Sequence, residues 1–210
     1  MNWTKVGRLL PRTDLVASDE AYTREQIRKM LNLCDLRTKI VVLFLASSGM
    51  RLGGLTGLRD GDLKPLFHPE DNTKLLAVHV KVYSGTHSEY DTFVSSEAWD
   101  AYQEYRSIRS KYGEAVTADS PVLLGRFTRK SLVEGRAKRI HDATVQNLLA
   151  VVRFKAGLSV PSRHYNGRFT IKTAHAFRKF FNTAVKSVRT EWRISNIVCQ
   201  QRKDAGTYPC

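Results

Sequence analysis

The chain has 210 residues, 42% of them hydrophobic, and a net charge of +14; that length buries one good core and is too short for two full-sized enzymatic domains. Its longest apolar run, IVVLFLA at 40–46, is far short of a membrane span, and no signal-peptide core follows Met1, which predicts a soluble, cytoplasmic protein with no membrane partner. Three cysteines, Cys34, Cys199 and Cys210, lack C-x-x-C spacing, so neither a disulfide frame nor a zinc site is expected.

Residues 1–20 carry no sustained periodicity and read as an arm or the remnant of a linker. Thr23-Arg-Glu-Gln26 is a capping box, because the threonine hydroxyl can accept from the third helical amide while Gln26 reaches back. It opens a helix through Ile27, Met30, Leu31 and Leu33. Residues 35–48 predict a second, mostly buried helix ended by Gly49. A short helical turn covers 52–58, closed by Asp60-Gly61-Asp62. Over 74–95 the period changes to two, with Leu76, Val78 and Val80 on one side, a turn at Ser84-Gly85, and Tyr90 to Val94 returning; this predicts a β-hairpin. Ser96 and Glu97 open a helix with Trp99, Tyr102, Tyr105 and Ile108 at helical spacing, read as a core stripe. Residues 141–154 are helical, and a last helix begins at Thr170.

The charge is unevenly divided. Residues 1–100 hold 13 basic and 13 acidic groups, whereas 101–210 hold 21 and 7, which accounts for the whole +14. Arg126, Arg129, Lys130, Arg136, Lys138 and Arg139 form the densest cluster, opposed nearby by Glu134. A positive surface of this kind gains affinity by releasing counterions from a phosphate backbone, so a phosphate-tracking loop on a nucleic acid is expected.

In the last helix Phe177, Phe180, Phe181 and Val185 make the face expected to be buried, and Lys172, His175 and Arg178 recur every three residues beside it. An S-G-x-R-x-x-x-L turn after a buried helix, at Ser48 to Leu55, is thus followed by a hairpin with a polar tip and then by H-x-x-R. This order resembles the catalytic domain of the tyrosine recombinases, or phage-type integrases, over about residues 20–185. The segments EYDTFVSSEAWDAYQEYR and TAHAFRKFFNTAV are most similar in tone to archaeal integrase-like members.

The resemblance implies an α+β, mainly α fold, with a small antiparallel sheet or hairpin at one edge of a helical core. The catalytic domain would cover 21–189, preceded by the arm at 1–20 and followed by an atypical tail at 190–210. It also implies metal-free and cofactor-free chemistry: a tyrosine hydroxyl attacks a DNA phosphodiester, leaving a 3′-phosphotyrosine and a free 5′-hydroxyl, and a second strand reverses the step. The covalent link conserves the energy of the broken bond. Negative charge gathers on the non-bridging oxygens in the transition state, and two planar, permanently charged guanidinium groups suit it. Arg51 and Arg178 are the implied clamp, and His175 the implied hydrogen-bond donor or proton-transfer group.

The chain departs from that pattern in three places. Gly54 stands where the family has an acidic brace three positions after the first arginine. The hairpin tip offers His87 in place of the family's lysine, with Lys81 as a strand-borne substitute. No Gly-His or Gly-Trp pair follows Arg178; Tyr208, 30 positions on, is the one later tyrosine, and the unpatterned tail around it has the composition of a shifted frame or a truncation. Two functions follow: a strand transferase, or an inactive integrase remnant that only holds duplex DNA, either acting as a homo-oligomer on DNA or beside a full-length recombinase. A basic RNA-binding protein is the third expectation.

Overall fold

The computed structural model describes residues 20–159 and 174–187. Helix α1 spans Arg24–Leu31, and its Thr23 N-cap forms the expected capping box with Gln26. Leu33 lies beyond the helix and is exposed. Helix α2, Leu36–Ser48, is capped by the Asp35 carboxylate, which accepts from the Thr38 amide, and ends at Gly49 in the left-handed region, φ 60°. Six consecutive side chains of α2, Ile40 to Leu45, are buried. A helix apolar on all sides must be enclosed, and α1, the helices at Ser96–Lys111 and Asp142–Lys155 and the strand at Tyr90–Val94 pack around this one. Each of its large side chains contributes about 2 kcal/mol by leaving water.

Helix α3 (Leu52–Gly57) and a 3₁₀ turn (Asp60–Asp62) follow. Three antiparallel strands then form one sheet in the order β1 (Leu63–His68), β2 (Asp71–Val82), β3 (Tyr90–Val94). Leu63 lies opposite Val80, and Val78 opposite Val94. With a side-chain period of two, Leu63, Val78, Val80, Val82 and Val94 line the core, while Lys64, His79, Lys81 and Phe93 face outward. Strand β1 was not expected from the sequence. It carries Pro65 and a register shift after Leu66, which erase the alternation that marks a strand. Leu76 shares the side of Val78 and Val80, as expected, but is 52% exposed, because β2 runs past the edge of the core there.

Helix α4, Ser96–Lys111, takes Ser95 as its N-cap and buries Tyr102 and Tyr105 as expected, but Arg109 in place of Ile108. The Arg109 guanidinium is fully buried. It donates to both carboxylate oxygens of Glu114, at 2.6 and 2.5 Å, and to the carbonyls of Pro121 and Val122 at 2.8 and 3.1 Å. It thereby ties the helix end to the segment at 121–124, whose Val122 amide bonds to the Leu58 carbonyl. Short helix α5, Arg129–Val133, begins at a Thr128–Ser131 capping box, and α6 spans Asp142–Lys155. Residues 174–187 are helical (α7). Phe177 of α7 is buried against Tyr22, ring centres 4.5 Å apart, whereas Val185, expected inside, is 48% exposed. The fold class expected from the sequence is the one observed: mainly helical, with a small antiparallel sheet at one edge. Among the described residues no helix is long and apolar enough to cross a membrane.

Candidate functional site

The site is built on the turn that ends α2. A helix leaves its last carbonyls without intrahelical partners, and here two of them are claimed from far along the chain. Thr92 of β3 donates its hydroxyl to the Ser48 carbonyl at 3.0 Å, and Arg178 of α7 donates through Nη1 to the Gly49 carbonyl at 3.1 Å. Phe181, one turn after Arg178, lies against the Gly49 α-carbon; a Cβ built there would stand 2.8 Å from the phenyl Cγ. Only glycine suits both that approach and the left-handed backbone.

Two residues later Arg51 occupies the N-cap position of α3, where its carbonyl accepts from the amides of Gly54 and Leu55 at 2.9 and 3.2 Å. Met50 before it is buried and Leu52 after it half-buried, and the Arg51 side chain is exposed between them. Its guanidinium makes no hydrogen bond or ion pair with the described residues. Arg51 and Arg178, expected as a pair, are therefore brought to one turn. His175 lies one helical turn before Arg178 and is exposed.

The two hairpin residues differ in circumstance. Lys81, next to last in β2, pairs through Nζ with Glu89 at 3.2 Å. The second oxygen of Glu89 accepts from the Gly85 amide at 2.7 Å, and that bond, with Lys81, holds the carboxyl below its ordinary range. His87 sits in the exposed loop between the strands. At the loop's start Tyr83 has φ 56°, a conformation uncommon for a non-glycine residue. Its hydroxyl lies beside the first turn of α3, 3.4 Å from a Cβ built on Gly53.

All six residues of the basic cluster are exposed, on the segment leading into α6. Arg136 pairs with Glu134 at 3.0 Å. The segment is not loose: the Gly125 amide bonds to the Lys138 carbonyl at 3.0 Å, and Arg37 of α2 donates to the Gly125 carbonyl at 3.0 Å. Three residues after Arg139, Asp142 opens α6 and accepts a hydrogen bond from the Thr56 hydroxyl of α3 at 2.5 Å. The cluster is thus joined by a short stretch of chain to the helix that Arg51 caps. Lys172 and Tyr208 lie outside the described residues. Sequence reasoning missed Thr56, Tyr83 and Asp142; the signal available was the Gly53-Gly54 pair, which marks a close approach. Among the described residues no three His, Cys, Asp or Glu side chains converge as a metal site would require.

The fold is shared with solved recombinases. XerA recombinase superposes with a TM-score of 0.55 at 18% identity, covering 79% of this chain and 50% of that one. XerH site-specific recombinase bound to difH substrate in a pre-cleavage complex gives 0.54 at 16% identity, over 81% of this chain and 43% of that one. The post-cleavage complex of XerH on a palindromic difH substrate gives 0.56 at 14%, over 82% and 43%. No family model and no curated protein matches the chain. Its architecture is therefore that of a recombinase-fold domain, and it spans half or less of the length of those chains.

Proposed function

We propose that the chain acts on double-stranded DNA as a site-specific strand transferase of the tyrosine recombinase type. The observation that carries this reading is the docking of Arg178 on the Gly49 carbonyl, which sets two arginines at one turn of a fold shared with XerA and XerH. Arg51 and Arg178 bind the two non-bridging oxygens of the scissile phosphate and stabilise the charge that grows there. His175 holds the same phosphate from the turn before. Lys81 or His87 delivers a proton to the leaving 5′-oxygen, and Tyr208 supplies the attacking phenol. Lys172 and the cluster at Arg126, Arg129, Lys130, Arg136, Lys138 and Arg139 hold neighbouring phosphates, positioning the duplex without reading its sequence. Residues 21–189 form the catalytic domain in this reading, with 1–20 as an arm and 190–210 as a tail. Pairing of copies on DNA, or of this chain with a full-length recombinase, follows from the same reading.

A nicked duplex that traps the covalent intermediate tests it. The full chain is expected to give a protein–DNA adduct that survives denaturation and is absent in Tyr208→Phe. Salt-sensitive duplex binding with no adduct assigns the alternative, an inactive remnant that holds DNA. Replacing Arg129, Lys130, Lys138 and Arg139 by alanine reduces the slope of log affinity against log salt by roughly 0.9 for each phosphate no longer neutralised; an unchanged slope removes the segment from the interface. Competition by structured RNA at lower concentration than duplex DNA overturns both readings in favour of an RNA-binding protein.

A further inference from the structure

Helix α3, which presents Arg51, is poorly equipped to hold itself. It has six residues, LGGLTG, three of them glycine, and each interior glycine costs about 1 kcal/mol relative to alanine. Its place is fixed by tertiary contacts. Leu55 is fully buried, and the Thr56 hydroxyl donates to Oδ1 of Asp142, 86 residues away, at 2.5 Å, a charge-assisted bond of the stronger kind. The other oxygen, Oδ2, lies 3.7 Å from a Cβ built on Gly53, and the Tyr83 hydroxyl lies 3.4 Å from the same point. A carboxylate cannot come from position 54, because a Cβ built there stands 2.7 Å from Cγ1 of Val82.

We propose that Asp142 is a positioning residue for Arg51: by holding the Thr56 hydroxyl it fastens the short helix whose N-cap is Arg51, and its charge faces the first turn of that helix. The inference deepens the strand-transferase reading and rests on it for its DNA readout.

The full chain is compared with Asp142→Ala, Thr56→Val, Thr56→Ser, Arg51→Ala and the double variant Arg51→Ala/Asp142→Ala. Affinity for a duplex of about 30 base pairs is measured at one salt concentration. The order of the Arg51 Nε–H vector is measured by NMR relaxation in the free protein. A carboxylate without a positioning role, when removed, tightens binding to a polyanion. The expected result is the opposite sign: Asp142→Ala and Thr56→Val each weaken binding roughly fivefold, Thr56→Ser restores it, and Asp142→Ala in the Arg51→Ala background does not weaken it. Equal weakening in both backgrounds, or tighter binding in the single variant, overturns the proposal. If the wild-type chain binds no duplex, the strand-transferase reading falls, and the NMR measurement decides the positioning role alone. Arg51 is then expected to lose order in Asp142→Ala with the amides of Leu52 to Leu55 still dispersed, and unchanged order overturns it.

Discussion

Arg178 and Gly49, 129 residues apart, are joined by one hydrogen bond from the guanidinium Nη1 to the peptide oxygen. The bond uses one of five N–H groups, so it orients the guanidinium plane while engaging a small part of its donor capacity. An arginine held by a backbone carbonyl keeps its full charge, which a carboxylate partner would have offset.

The first prediction concerns this arginine. Arg178→Ala is expected to unfold cooperatively and lose about 1 kcal/mol, the net worth of one hydrogen bond, while duplex affinity falls and adduct formation ceases. Thermal unfolding and adduct trapping are read side by side. Loss of cooperative unfolding would show the arginine to be structural and sink its assignment to the clamp.

Gly49→Ala meets two obstacles at once, a left-handed backbone and the ring of Phe181. A stability loss of about 2 kcal/mol is expected, measured by urea unfolding. Adding Phe181→Ala removes the clash but not the backbone strain, so the double variant should lose less than the two single losses summed. Strict additivity would separate the two residues.

Glu114→Gln leaves Arg109 charged in the core, where its guanidinium is fully buried. Burial alone would lower the arginine's pKa, and Glu114, helped by Tyr105 and Tyr102, turns the net direction upward. Removing the counter-charge should cost about 3 kcal/mol, visible as a lower urea midpoint at unchanged slope. A loss below about 1 kcal/mol would mean that the carbonyls of Pro121 and Val122 suffice.

Tyr22 is 2% exposed, and its hydroxyl has no hydrogen-bond partner among the described residues. Burial pushes its pKa up to about 12, against the opposing influence of Arg153. The unfolded phenol ionises near pH 10. Folding stability is therefore intact below about pH 10 and falls as pH rises toward 12, because the unfolded chain releases a proton that the folded one keeps. Tyr22→Phe should be within about 0.5 kcal/mol of wild type at pH 7 and should decline less steeply in alkali. A large loss at neutral pH would reveal a partner for the hydroxyl.

Local signals were readable in the sequence and distant ones were not. The Thr23–Gln26 box and the Asp35 and Gly49 ends of α2 depend on residues within one helical turn, and each was recognisable in one dimension. Ile108 and Arg109 show the limit. Helical spacing selects Ile108, yet Arg109 is buried because Glu114 and two carbonyls pair with it. Arg51, His175 and Arg178 were singled out by residue type and order, and the fold sets Arg51 and Arg178 at one turn. The joint at Gly53 was hidden, since threonine, tyrosine and aspartate at 56, 83 and 142 acquire meaning only when three elements meet.

The two claimed carbonyls at the end of α2 also set an order of events during synthesis. Thr92 emerges 44 residues after Ser48 and can close the first contact early, whereas Arg178 must wait for 129 residues, on the order of ten seconds at ribosomal rates. During that interval α2 gains its flanking partners β3, α4 and α6 in turn, while its C-terminal end still lacks α7. The two arginines thus come to one turn late, after most of the core has been made, and a nascent chain halted before α7 would expose the Gly49 carbonyl to water with Arg51 standing alone beside it.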